Sequence, residues 1–365
     1  MLNVVISLIL LFSLSSSKGI TDHLITPPGF KVSIYASNLG KARFMAFNED
    51  GVLFISSTRS GKIYALPDYG NDGQADENIV YSEGMDSPHG IAFFDNFLYV
   101  AEEGRILRFR GDDGGLSLNS TPEVIVSNLP TEGGGHYTRT IVFGSDSMMY
   151  VSVGSSCNLC LEKDNRRAAV VRYTPDGKRE SVFAKGLRNS VGIVFNPETG
   201  ELWGTDNGRD WLGDELPLEE INIIREGNHY GWPYKFGGNI PDPKFGDLEP
   251  NGALFTPPVF ELPAHWAPLG LRFCSGSQFP KEYQSNLFVA NHGSWNSSVK
   301  VGYNVVRINL ENGKPVGMED FLTGFLTKRE KVLGRPVDII FDSKGIMYVS
   351  DDYAGNVFRI VWVGD

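Results

Sequence analysis

Gly90-Ile91-Ala92-Phe93, then Leu98-Tyr99-Val100, then Arg105-Ile106-Leu107-Arg108 are three short apolar or aromatic runs parted by turn residues. Each run has the length and the side chains of a β-strand. The first run returns as Phe44-Met45-Ala46-Phe47, Thr140-Ile141-Val142-Phe143, Gly192-Ile193-Val194-Phe195, Gly270-Leu271-Arg272-Phe273 and Asp338-Ile339-Ile340-Phe341. A second apolar run follows each copy, as in Val52–Ile55, Met149–Val151 and Leu202-Trp203, and a third follows that, as in Lys62–Ala65 and Val357–Ile360. The early copies recur at about 50 residues, the spacing of four-stranded propeller blades. Six such copies predict an all-β fold, a six-bladed β-propeller over residues 18–365. Phe30-Lys31-Val32-Ser33-Ile34-Tyr35 is placed to supply the last blade's outer strand and close the ring. The Gly- and Pro-rich stretch Tyr230–Pro263 reads as an insertion on one face.

The composition agrees. The chain has 42 Gly and 20 Pro for turns, and 6 Trp, 14 Tyr and 23 Phe, which favour strands. A net charge of -11 excludes a nucleic-acid backbone as a general partner. Residues 1–17 carry a short apolar run, Val4–Leu14, ending in Ser15-Ser16-Ser17, and read as a cleaved signal peptide. An uncleaved anchor is the alternative, since no Lys or Arg precedes the run. No later segment is long and apolar enough to cross a membrane, so the expected place is extracellular, or periplasmic in a bacterium. Asn119-Ser120-Thr121 and Asn296-Ser297-Ser298 are sequons, making Asn119 and Asn296 candidate glycosylation sites. Cys157 and Cys160 lack the further ligands that zinc needs. In an oxidising compartment they are expected to form a local disulfide, with a redox-active pair as the sharper alternative.

In a blade the first two strands make an antiparallel hairpin, so residues before the first and after the second share one end. Before the first strands stand Arg43, His89, His136 with Arg139, Arg188 with Asn189, His265 and Arg335. After the second stand Arg59, Glu102-Glu103, Asp206–Asp210, His292 and Asp351-Asp352. Four of the six histidines therefore fall on one rim of an acidic protein. Such a mouth implies a small anionic ligand and proton transfer, and the acidic Asp206–Asp210 loop a hard cation such as calcium.

The motifs on this rim are recognisable. Gly133-Gly134-Gly135-His136-Tyr137-Thr138-Arg139, Gly186-Leu187-Arg188-Asn189, Asn207-Gly208-Arg209-Asp210 and Asn228-His229-Tyr230-Gly231-Trp232-Pro233 resemble the glucose/sorbosone dehydrogenase family. So do Ala267–Gly270, His292-Gly293-Ser294-Trp295-Asn296, Gly334-Arg335-Pro336 and Ser350-Asp351-Asp352, in order along nearly the whole mature chain. The likeness is closest to the sorbosone and fungal pyranose dehydrogenase branch, which shares the Gly154–Cys160 loop. It implies a six-bladed propeller that binds pyrroloquinoline quinone and calcium and oxidises sugars. By that resemblance His136 is the general base, Arg188 and Asn189 hydrogen-bond the quinone, Arg335 pairs with a carboxylate, and Gly208 and Arg209 offer carbonyls to calcium. His89, Arg59 and His292, on the same rim, complete the expected cofactor-binding set. Trp232 and Trp266 are candidates for stacking on sugar or quinone.

Two positions depart from the family. Val337 stands where the glucose-specific branch has a second arginine, and Ser297 where a basic residue usually follows Trp-Asn, with Lys300 as a possible substitute. Two other classes compete: a secreted propeller that binds glycans or proteins without catalysis, and a calcium-dependent lactonase-like hydrolase. Leu161 follows Cys160, so there is no Cys-x-x-Cys-His haem attachment, and the electron acceptor is expected to be a separate cytochrome, quinone or dye.

Overall fold

The computed structural model describes residues 19–110, 116, 121–133 and 135–364. The expected signal peptide and Asn119 lie outside them. Six four-stranded antiparallel sheets account for the repeats. Their first strands are Ala42–Phe47, Ile91–Phe94, Arg139–Phe143, Ile193–Phe195, Pro268–Phe273 and Pro336–Phe341. Each of these touches the first strand of the next blade, and the last touches the first, so they line a closed ring about the axis. Among the described residues the only helical turns are three short 3-10 segments. The sixth sheet is completed by Phe30–Ala36, which pairs antiparallel with Asn356–Trp362. This closure was expected. Phe30 fastens it by meeting Phe279, Tyr283, Phe321 and Trp362 edge-on at 4.7–5.1 Å between ring centres.

Apolar side chains alternate to both faces of each blade, so six cores form, one between each pair of neighbours. Polar latches reinforce the inner ring. Ser56 Oγ donates to His89 O (2.6 Å), Thr140 Oγ1 to Val191 O (2.5 Å), Thr205 Oγ1 to Leu269 O (2.8 Å) and Ser350 Oγ to Arg43 O (2.6 Å). Each bond crosses from one blade to the next. The glycines that open several first strands allow this crowding: a Cβ on Gly192 would lie 2.1 Å from Leu269 O. A small seventh cluster, Phe44, Val191, Leu269 and Val337, plugs the channel itself.

Tyr230–Pro263 is only partly an insertion. It carries a small hairpin, Lys235–Phe236 with Ile240–Pro241, but Phe260–Leu262 returns as the fourth strand of the fourth blade. Three strand residues after so long a loop give no periodic signal. Register shifts between Ala42 and Met45, Pro268 and Leu271, and Pro336 and Ile339 place bulges at one end of three inner strands. That end is the mouth where the candidate site lies, and a bulge re-aims the side chains beside it.

Candidate active site

His136 rides on a loop held from below by two buried arginines. Arg139 donates to His136 O (2.7 Å), Thr138 O (2.8 Å) and Pro130 O (2.8 Å). Arg167 donates to Glu132 O (2.8 Å) and Gly154 O (3.2 Å). The imidazole Nδ1 lies 2.9 Å from both Ser155 O and Ser155 Oγ. The Ser155 hydroxyl itself donates to Cys157 O (2.6 Å), so both Ser155 oxygens can act as acceptors. Nδ1 must then carry the proton, which leaves Nε2 as a bare acceptor. Burial first, and the charge of Arg188 next, push the imidazole pKa down to about 3. Gly154 makes the approach possible, since a Cβ there would lie 2.6 Å from His136 Cβ and 2.7 Å from Asn189 Oδ1.

The Arg188–Asn189 turn is fixed by the end of a neighbouring strand, Leu202–Asp206. Asp206 accepts from Arg188 N (2.9 Å), Asn189 N (2.7 Å) and Ser190 Oγ (3.1 Å). The Arg188 guanidinium donates to Asn158 O (3.1 Å), Asn158 Oδ1 (2.9 Å), Asn207 O (3.1 Å) and Gly208 O (2.8 Å). Asn158 lies inside the Cys157–Cys160 disulfide loop, and its Oδ1 also accepts from Asp210 N (2.8 Å). The Gly208 amide donates to Glu219 Oε2 (2.7 Å), and burial pushes the Glu219 carboxyl up to about 7. The Asn189 side-chain amide has no hydrogen-bond partner among the described residues and lines the cavity.

That cavity holds about 650 Å³. His136, Arg188, Asn189 and Gly208 form one wall, Val191 and Leu269 the floor, and Arg43 and His292 the far side. On the far side Asp352 accepts from Arg43 NH1 (3.0 Å) and from His292 Nε2 (2.8 Å). Burial alone would raise the Asp352 carboxyl, but the His292 hydrogen bond and the Arg43 charge hold it well below the usual carboxylate range.

A family model described as Glucose / Sorbosone dehydrogenase matches residues 99–359. The chain belongs to the glucose/sorbosone dehydrogenase family. An uncharacterised protein of Borreliella burgdorferi is 33% identical over 95% of this chain and 93% of its own. A pyrroloquinoline quinone-dependent sugar dehydrogenase of Hypocrea jecorina is 21% identical over 92% of this chain and 88% of its own. Among solved structures, the calcium structure of a Trichoderma reesei carbohydrate-active enzyme of family AA12 superposes with a TM-score of 0.77. It is 21% identical, and the match covers 93% of this chain and 97% of that one.

In this member of the glucose/sorbosone dehydrogenase family the remaining rim residues take varied positions. His89 is wholly buried against Phe44, with Nε2 3.2 Å from Arg43 NH2, so it backs Arg43 rather than facing the cavity. Arg335 donates to His292 O (2.9 Å), Gly293 O (2.6 Å) and Ser294 O (3.2 Å), and so holds the loop that carries His292. Arg59 lines a second cleft of about 770 Å³, which meets the cavity at Arg43, Gly135 and Tyr137. The Arg209 side chain turns away to Asp242 (2.6 Å), leaving only its backbone for a metal. Val337 is buried in the channel plug, and Lys300 reaches outward to Glu330 O (2.7 Å). Trp232 is buried beside a small interior cavity and Trp266 packs against the core between the fourth and fifth blades. The Asn296 side-chain nitrogen, the atom a glycan would occupy, is buried without a partner.

Sequence reasoning missed Ser155, Asn158 and Glu219. Ser155 and Asn158 act partly through backbone carbonyls, which every residue has. Glu219 sits in an acidic pair, Glu219-Glu220, that reads as surface charge yet is buried at the end of a strand. The one available signal was the Gly154–Cys160 loop, whose local crosslink pointed to a shaped turn.

Proposed function

We propose that the chain is a secreted quinoprotein that oxidises a sugar hydroxyl or aldehyde by hydride transfer to pyrroloquinoline quinone. The observation that carries this reading is His136, with Nδ1 tied to Ser155 and Nε2 bare, beside the unpartnered Asn189 amide in one cavity. The donor set suits the cofactor. A tricarboxylate calls for fixed cations and amide donors, and Arg43, Arg188 and Asn189 offer both. The Gly208 and Arg209 carbonyls would hold calcium, with the Asp210 carboxylate nearby in the same loop. The Hypocrea jecorina relative is named as quinone-dependent and the Trichoderma reesei neighbour as a calcium structure, which supports the same pair.

Pyrroloquinoline quinone would supply the two-electron acceptor that no side chain offers, with calcium as the Lewis acid beside it. The protein's part is positional. His136 Nε2 takes the proton of the sugar hydroxyl, and the resulting imidazolium keeps its Nδ1–H bond to Ser155. The free Asn189 amide donates to an anionic oxygen, and Arg188, whose N–H groups are taken up by Asn158, Asn207, Gly208 and Asp210, adds its fixed positive charge, while Asp206 keeps the backbone of both in place. The Val191–Leu269 floor denies water access from below. Arg335, by fixing the His292 loop, would set Asp352 and through it Arg43. Electrons leave to a separate acceptor. Secretion rests on the first 17 residues, and no helix among the described residues is long and apolar enough to span a membrane.

Calorimetric titration of the calcium-loaded protein with the quinone tests the reading. Tight binding is expected, weakened sharply in Arg188→Ala. His136→Ala should bind the quinone but fail to reduce it with any sugar. Absence of binding by the calcium-loaded wild type overturns the proposal.

A further inference from the structure

The most exposed aromatic side chains among the described residues are Tyr69, Tyr137, Trp211, Trp295 and Tyr353. Four of the five stand at the mouth, each directly after a residue of the cavity or its loops: His136, Asp210, Ser294 and Asp352. Trp211 and Trp295, 69% and 68% exposed, face one another edge-on with ring centres 5.8 Å apart. Trp295 also lines the cavity. Apolar rings of this size left in water need a reason.

Packing does not give one, and neither does backbone comfort. Trp211 has φ +71°, a left-handed conformation that a bulky residue rarely adopts and that recurs at ligand clamps. The two loops are braced so that the rings stay put. Ser298 N donates to Asp214 Oδ1 (3.0 Å), the Ser298 hydroxyl bonds the other Asp214 oxygen, and His265 Nε2 donates to Gly213 O (2.7 Å). The same two loops carry Asp210, Asp214 and Ser298, all hydrogen-bonding groups, and the Asn158 amide donates to Asp210 O (3.3 Å). Leu216 and Val299 are also exposed in these two loops, but Asp214 and Ser298 share them, so the two rings stand in mixed surface and not in the broad apolar patch that a docked protein buries. They match a pyranose, which presents C–H groups on its face and hydroxyls round its edge.

Resting on the sugar dehydrogenase reading above, we infer that Trp211 and Trp295 form a platform for a second sugar ring. The substrate is then the end of an oligosaccharide or glycan rather than a free monosaccharide. One unit enters the cavity and the next leaves the mouth across the two tryptophans.

The test needs no turnover. Calcium-loaded full-length protein without quinone is titrated with gluco-, manno-, galacto- and xylo-tetrasaccharides and with their monomers, by calorimetry and tryptophan fluorescence. At least one tetrasaccharide should bind about tenfold tighter than its monomer and perturb the fluorescence. Trp211→Ala and Trp295→Ala should each bring that ratio close to one. Both sites are exposed, and a thermal melt of each variant confirms its fold. Equal affinity for monomer and tetramer in every series, or a ratio that survives both substitutions, overturns the platform. A quinone titration of the same preparation separates the two readings. Quinone binding without chain-length preference removes the platform alone, while chain-length preference without quinone binding keeps the platform and removes the dehydrogenase.

Discussion

Three arginines surround the base. Burial contributes most to holding His136 near pKa 3, and Arg188, Arg167 and Arg139 add to it in that order. A base so weak takes a hydroxyl proton poorly, but the arginine field is the part that a bound polyanion offsets. Replacing Arg188 by Gln removes one positive neighbour, so the His136 pKa must rise. Nitrogen-15 histidine NMR on quinone-free protein should show His136 neutral down to about pH 4 in the wild type and titrating at higher pH in Arg188→Gln. A second rise is expected when quinone is added to the wild type. Identical titrations in all three samples would falsify the electrostatic account.

The turn from Gly154 to Cys160 does more than carry a crosslink. It supplies Ser155 to the base and Asn158 to both Arg188 and the Asp206–Asp210 loop. Closing so short a loop contributes only about 2 kcal/mol to the fold. Cys157→Ser combined with Cys160→Ser should therefore lower Tm by a few degrees yet weaken quinone binding about tenfold. A large loss of Tm with unchanged affinity would show that the turn serves stability instead. At this scale much was readable beforehand. The inner strands announce themselves because both faces are buried and the same Gly-apolar-Phe run recurs. The hairpin rule then placed His136, Arg188 and Asn189 at one mouth. Direction was not readable: His89 and Arg335 sit where the rule puts them, but one turns inward to Arg43 and the other to main-chain carbonyls. Those contacts depend on the packing of neighbouring blades, which no local pattern encodes.

The whole molecule carries opposed sets of buried titrating groups. Burial pushes His229 down to about 4, and lowers His89 and His292 as it does His136. These groups bind protons only in the unfolded chain, so their contribution is complete above about pH 6.5 and fades as pH falls. Asp338 and Asp351 are raised to about 6 and Glu219 to about 7, again by burial. Burial raises Asp206 and Glu220 as well, and the Asp206 charge adds to the rise at Glu220; Asp206, with three donors, keeps the charge while Glu220 takes the proton. Raised carboxyls contribute below about pH 4 and lose that contribution as pH climbs through their folded values. The two slopes oppose each other between about pH 4 and 6.5, and only the carboxyl slope persists above. Tm should be broadly flat in mild acid and fall from pH 6.5 to 8, with a shallower fall in Glu220→Gln. A Tm that climbs steadily to pH 8 would contradict this balance.

Pairing of Phe30–Ala36 with Asn356–Trp362 also governs when the molecule can come into being. Synthesis runs from the first strand to the last, so the ring stays open until the final strand has left the ribosome. Every nascent intermediate lacks the partner of its own first strand, and the mouth, drawn from all six blades, does not yet exist. A chain held short of its last strand is therefore still threadable, and its mouth is assembled only on closure.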